Sequence, residues 1–121
     1  MANTFKVVNF AAEPNSAGTP FTMYTVAGST TTVVLGLVLA NIHSSAVTAE
    51  VELVSTTSNR AGNNNAANGT SFLVKDVSIP AGSSLELLSG GKVVLETGDV
   101  LRIDCSVADK LSGTLSVMEI T

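Results

Sequence analysis

His43 is the one histidine of the sequence, and it stands beside Ser44 and Ser45. A hydrolase would use such an imidazole as the base for a hydroxyl nucleophile. No Gly-x-Ser-x-Gly phrase marks a nucleophile elbow, so a solvated turn residue is the expected role. Cys105 is the single cysteine, which excludes an intrachain disulfide. Leu101, Ile103 and Val107 share its parity on a strand, so it is expected on their face as a small buried residue. A reactive thiol would need exposure and a lowered pKa. One His and one Cys leave no cluster with zinc-site spacing.

Carboxylates are the remaining source of chemistry. Glu50 and Glu52 share a strand face, which suits a general acid/base pair or an ordinary solvated face; the solvated face is expected. Asp99 follows Gly98 in a turn, where Asp commonly caps backbone groups. Asp104 and Asp109 lack the Gly-centred loop of an EF-hand. Neither Glu13 nor Glu119 has a suggestive neighbour. Ser89-Gly90-Gly91-Lys92 fails as a phosphate loop, because Glu86 stands where a Walker motif has its first Gly and Val93 follows the Lys. A hairpin turn is expected there. Tyr24 is the only tyrosine and Trp is absent, so a platform for stacking sugars is missing and Tyr24 reads as a partly buried sheet residue. No cofactor and no metal site is expected.

Positioning these groups falls to β-structure. Apolar and β-branched stretches occupy residues 5–10, 21–26, 31–41, 47–54, 72–79, 84–88, 92–96, 100–107 and 113–120. Pro14, Gly18 and Pro20 keep residues 11–20 a loop. Alternation is clearest where Val47, Ala49, Val51 and Leu53 oppose Thr48, Glu50 and Glu52. The run 31–41 is apolar at almost every position, so both of its faces are expected to be covered. β-Branched Thr31, Thr32, Val33 and Val34, with Gly36 inside, favour a strand over a buried helix. Turn signals recur about every 8–12 residues, the spacing of an all-β fold. The expectation is a two-sheet antiparallel β-sandwich, jelly-roll or Ig-like, of about eight strands. Residues 1–121 would form a single domain with an extended N-terminal segment.

Two turns share a phrase: Ala27-Gly28-Ser29 and Ala81-Gly82-Ser83. They read as one solution to one kind of turn, in which Gly permits a positive φ. The longest loop, residues 56–70, has no apolar period and centres on Asn63-Asn64-Asn65-Ala66-Ala67-Asn68-Gly69. Asn63, Asn64, Asn65 and Asn68 are therefore the candidate interaction residues. Asn68-Gly69-Thr70 also matches the glycosylation acceptor pattern, but the amino terminus lacks the features of a secretion signal.

Composition narrows the partners. Charged residues make up 13% of the chain and the net charge is −4, with six basic residues dispersed along it. Phosphate backbones call for clustered Lys and Arg, so nucleic acid is not an expected partner. The longest apolar run is too short to span a bilayer, so a membrane is not expected either.

The stretch from Tyr24-Thr25-Val26-Ala27-Gly28-Ser29-Thr30 through Val33-Val34-Leu35-Gly36-Leu37 resembles the YTVPAGTT…VLGL phrase of small β-sandwich virion structural proteins of tailed bacteriophages. Leu39-Ala40-Asn41-Ile42, Phe72-Leu73-Val74-Lys75, Ile79-Pro80-Ala81-Gly82-Ser83-Ser84 and the segment from Lys92-Val93-Val94-Leu95 to Gly98-Asp99-Val100-Leu101 continue the resemblance, which is strongest toward proteins of cyanophages and other marine phages. Ala27 stands where that phrase usually has Pro. The resemblance implies a non-enzymatic virion protein with no catalytic residues. A capsid decoration or cement protein heads the implied roles; a neck or tail accessory, or a host-contacting module using the 56–70 loop, is the alternative. Implied partners are a second copy of the chain, in a homo-oligomer such as a trimer, and the major capsid protein or other virion proteins. The implied location is the virion, after synthesis in the host cytoplasm.

Overall fold

The computed structural model describes residues 2–55, 69–88 and 91–121. They form nine strands and, among the described residues, no helix. The strands are β1 (Asn3–Glu13), β2 (Phe21–Thr25), β3 (Thr31–Asn41), β4 (Val47–Val54), β5 (Thr70–Ile79), β6 (Ser84–Leu87), β7 (Val93–Leu95), β8 (Val100–Cys105) and β9 (Leu111–Ile120). One sheet runs β1-β9-β3, with β6 and β7 both on the far side of β3; the other runs β2-β8-β4-β5. All pairs are antiparallel.

β6 pairs with residues 37–40 of β3 and β7 with residues 32–34, so the two act as one interrupted edge strand. Counted that way the pairings nest: β1 with β9, β2 with β8, β3 with β6 and β7, and β4 with β5. One long antiparallel hairpin has been rolled into two sheets. This is a jelly roll, and it decides between the two sandwich types that the turn spacing left open.

Leu37, Leu39, Leu95, Leu111, Leu115 and Val117 of one sheet pack against Val47, Val51, Ile79, Leu101 and Ile103 of the other, all fully buried. Cys105 joins them, on the same face as Leu101 and Ile103, as its parity requires. Phe10 enters from β1 because Gly113 opposite it has no side chain; a Cβ there would lie 2.3 Å from the Phe10 ring. The ring then meets Phe21 edge-on, with centroids 5.2 Å apart.

Three expectations change. First, the described residues cover only one face of β3. A bulge at Leu35, between the Val34 and Gly36 pairings with β9, switches parity: Thr32 and Val34 point inward before it, and Leu37, Leu39 and Asn41 after it. That switch makes the run look apolar on both faces, because the inward residues change from even to odd numbers. Among the described residues the outward Val33 and Val38 have no layer over them.

Second, Glu52 is not on a solvated face. β4 lies between β5 and β8, and Glu52 is only 6% exposed, its Oε2 accepting a bond from Arg102 Nη2 at 2.8 Å. Third, the Ala-Gly-Ser turns differ. In the second, Gly82 holds φ 71° and Ser83 N donates to Pro80 O at 3.1 Å. In the first, the left-handed position falls on Ser29, φ 54°, and not on Gly28. The reason lies across the sandwich. Val26 N donates to Asp99 O, Gly98 N donates to Val26 O, and Thr30 exchanges bonds with the Thr97 hydroxyl, so a neighbouring turn sets the path of the first.

Candidate interaction surface

β9 fixes which side chains of its sheet face outward. Leu111, Gly113, Leu115 and Val117 are buried, so Ser112, Thr114, Ser116, Met118 and Ile120 point away from the core. Register carries this across the sheet. Phe5 pairs with Met118, Met118 with Val33, and Val33 with Val94. These four form an unbroken apolar row over four strands. Phe5 is 71% exposed, Val7 63%, Val94 56% and Val38 38%. The next row is small, Val7 with Ser116 and Gly36, and leaves a shallow open depression on each side. One depression is bounded by Phe5, Val7 and Leu35, the other by Val38, Leu87 and Leu88. Glu86, opposite Val38 at the β6 rim, is the one charged side chain at the outward paired positions described.

The inner side of β1 is polar at its start. Lys6 Nζ lies 2.7 Å from Glu119 Oε1, while Glu119 Oε2 accepts a 2.5 Å bond from the Tyr24 hydroxyl. The Tyr24 oxygen also shares a 2.8 Å bond with the Thr32 hydroxyl. Burial first, and then the bond to the Glu119 carboxylate, push the Tyr24 pKa up from 10.0 to about 12. The Lys6 ammonium, with help from Tyr24, holds the Glu119 carboxyl below its ordinary value. Glu119 therefore ties β9 to both β1 and β2. Tyr24 is buried as expected; its partner on the last strand was invisible in sequence, since 95 positions separate them.

The other residues singled out in sequence do structural work. Asp99 is fully buried and its Oδ2 accepts from Glu96 N at 3.0 Å, closing the turn it was expected to cap. Asp104 Oδ1 accepts from Gly18 N and Cys105 N, at 3.1 and 2.8 Å. Glu50 pairs with Lys75 at 3.0 Å. Glu50, Asp76 and Asp104 border one open depression. Among the described residues no three His, Cys, Asp or Glu side chains group so as to hold a metal ion. His43 sits in the turn after β3, and its N–H donates to Asn41 Oδ1 at 2.8 Å. The buried Asn41 amide then donates to Ser45 O and Ile79 O, fixing the turn to β5. No helix of the described residues is long and apolar enough to cross a membrane.

Asn63, Asn64, Asn65 and Asn68 fall in residues 56–68, outside the described residues, as do Ser89 and Gly90. What is described is the base of that loop: Ser55 N donates to Gly69 O at 2.8 Å, where β4 and β5 part.

The described residues form a jelly roll in which no other described element covers the apolar outer face of the β1-β9-β3 sheet. No protein-family model matches the sequence, and no curated protein matches it. Among solved structures the chain is similar to one chain of the IBDV viral particle, with TM-score 0.54 and 11% identity. The match covers 97% of this chain and 30% of that one, so the whole of this chain spans less than a third of the other. A structure of Bacillus endospore appendages, described as disulfide-linked pili, matches with TM-score 0.46 and 15% identity, over 99% of this chain and 87% of that chain. At such identities the likeness is one of fold.

Proposed function

We propose that this chain is a non-enzymatic structural subunit of a bacteriophage virion, a decoration or cement protein that binds the outside of the head and stabilises it. The observation that carries the reading is the Phe5–Met118–Val33–Val94 row, an apolar stripe spanning a sheet face that no other described element covers. Large uncovered apolar patches mark surfaces that meet another protein. The phrase from Tyr24 to Leu37 supports a phage particle as the setting, and the fold shared with a chain of the IBDV viral particle is in keeping with a shell. A cement protein works by binding the assembled state only, so each occupied site adds to the free energy that holds the shell together.

The test is direct. Mass spectrometry of purified particles should find the chain, and heads stripped of it should release their contents at lower temperature, with rebinding restoring the original value. Absence from the particle would sink the proposal. The 56–70 segment offers a second reading, since its length and Asn-rich sequence suit recognition and its two ends, Ser55 and Gly69, are bonded to each other. Deleting residues 63–68 separates the two: particles that stay intact but adsorb poorly to hosts would favour a recognition module on neck or tail.

A further inference from the structure

A sheet edge invites another strand, and three edges of this sandwich are blunted in ways that prevent it. β6 and β7 are only four and three residues long. β2 has five residues and a bulge at Met23. β5 is longer, but its register with β4 shifts twice, and Asp76 turns to φ 52° within it. β1 is the exception. Its eight residues from Asn3 to Phe10 pair with β9 without a shift, and among the described residues β9 is its only sheet partner.

Alternation of the ladder shows what this edge offers. Ala2 and Thr121 exchange both backbone bonds, at 3.1 and 2.9 Å. Every second pair then does the same, so Thr4, Lys6, Val8 and Phe10 spend their backbone groups on β9. The N–H and C=O groups of Asn3, Phe5, Val7 and Asn9 point the other way, to the open edge. These are the residues whose side chains lie on the outer face. The open ladder and the apolar row therefore belong to the same residues.

We propose that β1 pairs with β1 of a second copy, antiparallel about a two-fold axis through Val7, joining two five-stranded sheets edge to edge. This rests on the reading of the chain as an assembling subunit, and names its first partner. Charge selects both partner and register. Free groups sit on alternate residues, so a two-fold axis must pass through a residue, and the midpoint of the regular run lies between Lys6 and Val7. An axis at Lys6 sets two ammonium groups directly opposite, in the closer kind of strand pair. An axis at Val7 sets Lys6 against the partner's Val8, Phe5 against the partner's Asn9, and Val7 against the partner's Val7. No like charges meet, and the apolar rows of the two copies become neighbours on one continuous face. A surface that matches itself about a two-fold axis is what a symmetric dimer requires.

Proline at Val7 tests the ladder itself. The Val7 N–H faces the open edge, so Val7→Pro removes a donor from the proposed interface and none from the β9 pairing. Sedimentation of the full chain should give twice the 12.3 kDa chain mass, and Val7→Pro should sediment as a monomer with the wild-type near-ultraviolet spectrum. Val7→Lys, which places like charges opposite each other, should do the same and stands in if the proline variant fails to fold. In a Cys105→Ala background, Val7→Cys should form a disulfide-linked dimer on mild oxidation, because paired residues of this kind lie about 5.5 Å apart at Cα, within disulfide reach. A monomeric wild-type chain overturns the proposal. So does a dimer that ignores both Val7→Pro and Val7→Lys, or one dissociated only by Phe5→Ser with Val94→Ser, which would assign the contact to the face and not the edge. A Val7→Cys dimer that does not cross-link overturns the two-fold register. Finding the chain in particles alongside any of these results would leave the virion reading standing and remove only the β1 pairing.

Discussion

Tyr24 is the residue at which the chemistry of this molecule is most exposed to measurement. It is the only tyrosine in a chain without tryptophan, so its ionisation is read alone in the ultraviolet. With its pKa raised to about 12 by burial and by Glu119, its contribution to stability is complete below about pH 10 and is lost as pH rises toward 12. Tyrosinate absorbance of the folded protein should therefore rise well above pH 10, and Glu119→Gln should move the midpoint down. A wild-type midpoint at the ordinary value would refute the buried Tyr24–Glu119 bond. Glu119 works in the other direction. Its lowered pKa gives stability that is present above the ordinary carboxylate value and lost as pH falls through the folded-state value. Stability should thus hold through neutrality and fall at both extremes. The sequence revealed the parity of Cys105 and the capping role of Asp99, because both depend on near neighbours. It could not reveal the joining of Lys6, Tyr24 and Glu119, which depends on which strands become adjacent.

At the scale of the element, local pattern and tertiary context part company at identifiable places. Alternation located the core faces of β4 and β8 well. It failed on β3, where the Leu35 bulge changes parity within one strand and makes an exposed face look like a covered one. It failed on Glu52 because alternation reports a face and not whether flanking strands shield it. The paired Ala-Gly-Ser turns make a third case, and a testable one. Gly82 sits at φ 71°, where a side chain is strained, so Gly82→Ala should lower stability by about 1–2 kcal/mol. Gly28 has no positive φ and open space around its Cβ position, so Gly28→Ala should change stability by less than about 0.5 kcal/mol. Urea denaturation of both variants decides it; equal effects would mean that the two turns share one geometry after all. Asn63, Asn64, Asn65 and Asn68 lie outside the described residues, so the fold bears on that segment only through its ends, Ser55 and Gly69, which are bonded to each other.

For the whole molecule, nesting has a cost in time. β1 and β9 are the first and last strands of the roll, and their pairing closes the longest loop, which must be organised before the contacts reward it. Refolding from urea should accordingly take milliseconds to seconds, as for other proteins dominated by long-range pairing, and not microseconds. Stopped-flow Tyr24 fluorescence measures this, and a microsecond phase carrying the full amplitude would contradict the nested order. The same geometry bears on synthesis. β9 lies between β1 and β3, so until it leaves the ribosome the sheet has a gap at its centre and β1 has nothing to hold it straight. A nascent chain without β9 therefore presents no ordered β1 edge to its neighbours on the same messenger. On the proposed β1 pairing, the strand that straightens the edge is the one that must dock before a second copy can be met, so a chain whose β9 has not yet docked is not a partner for assembly.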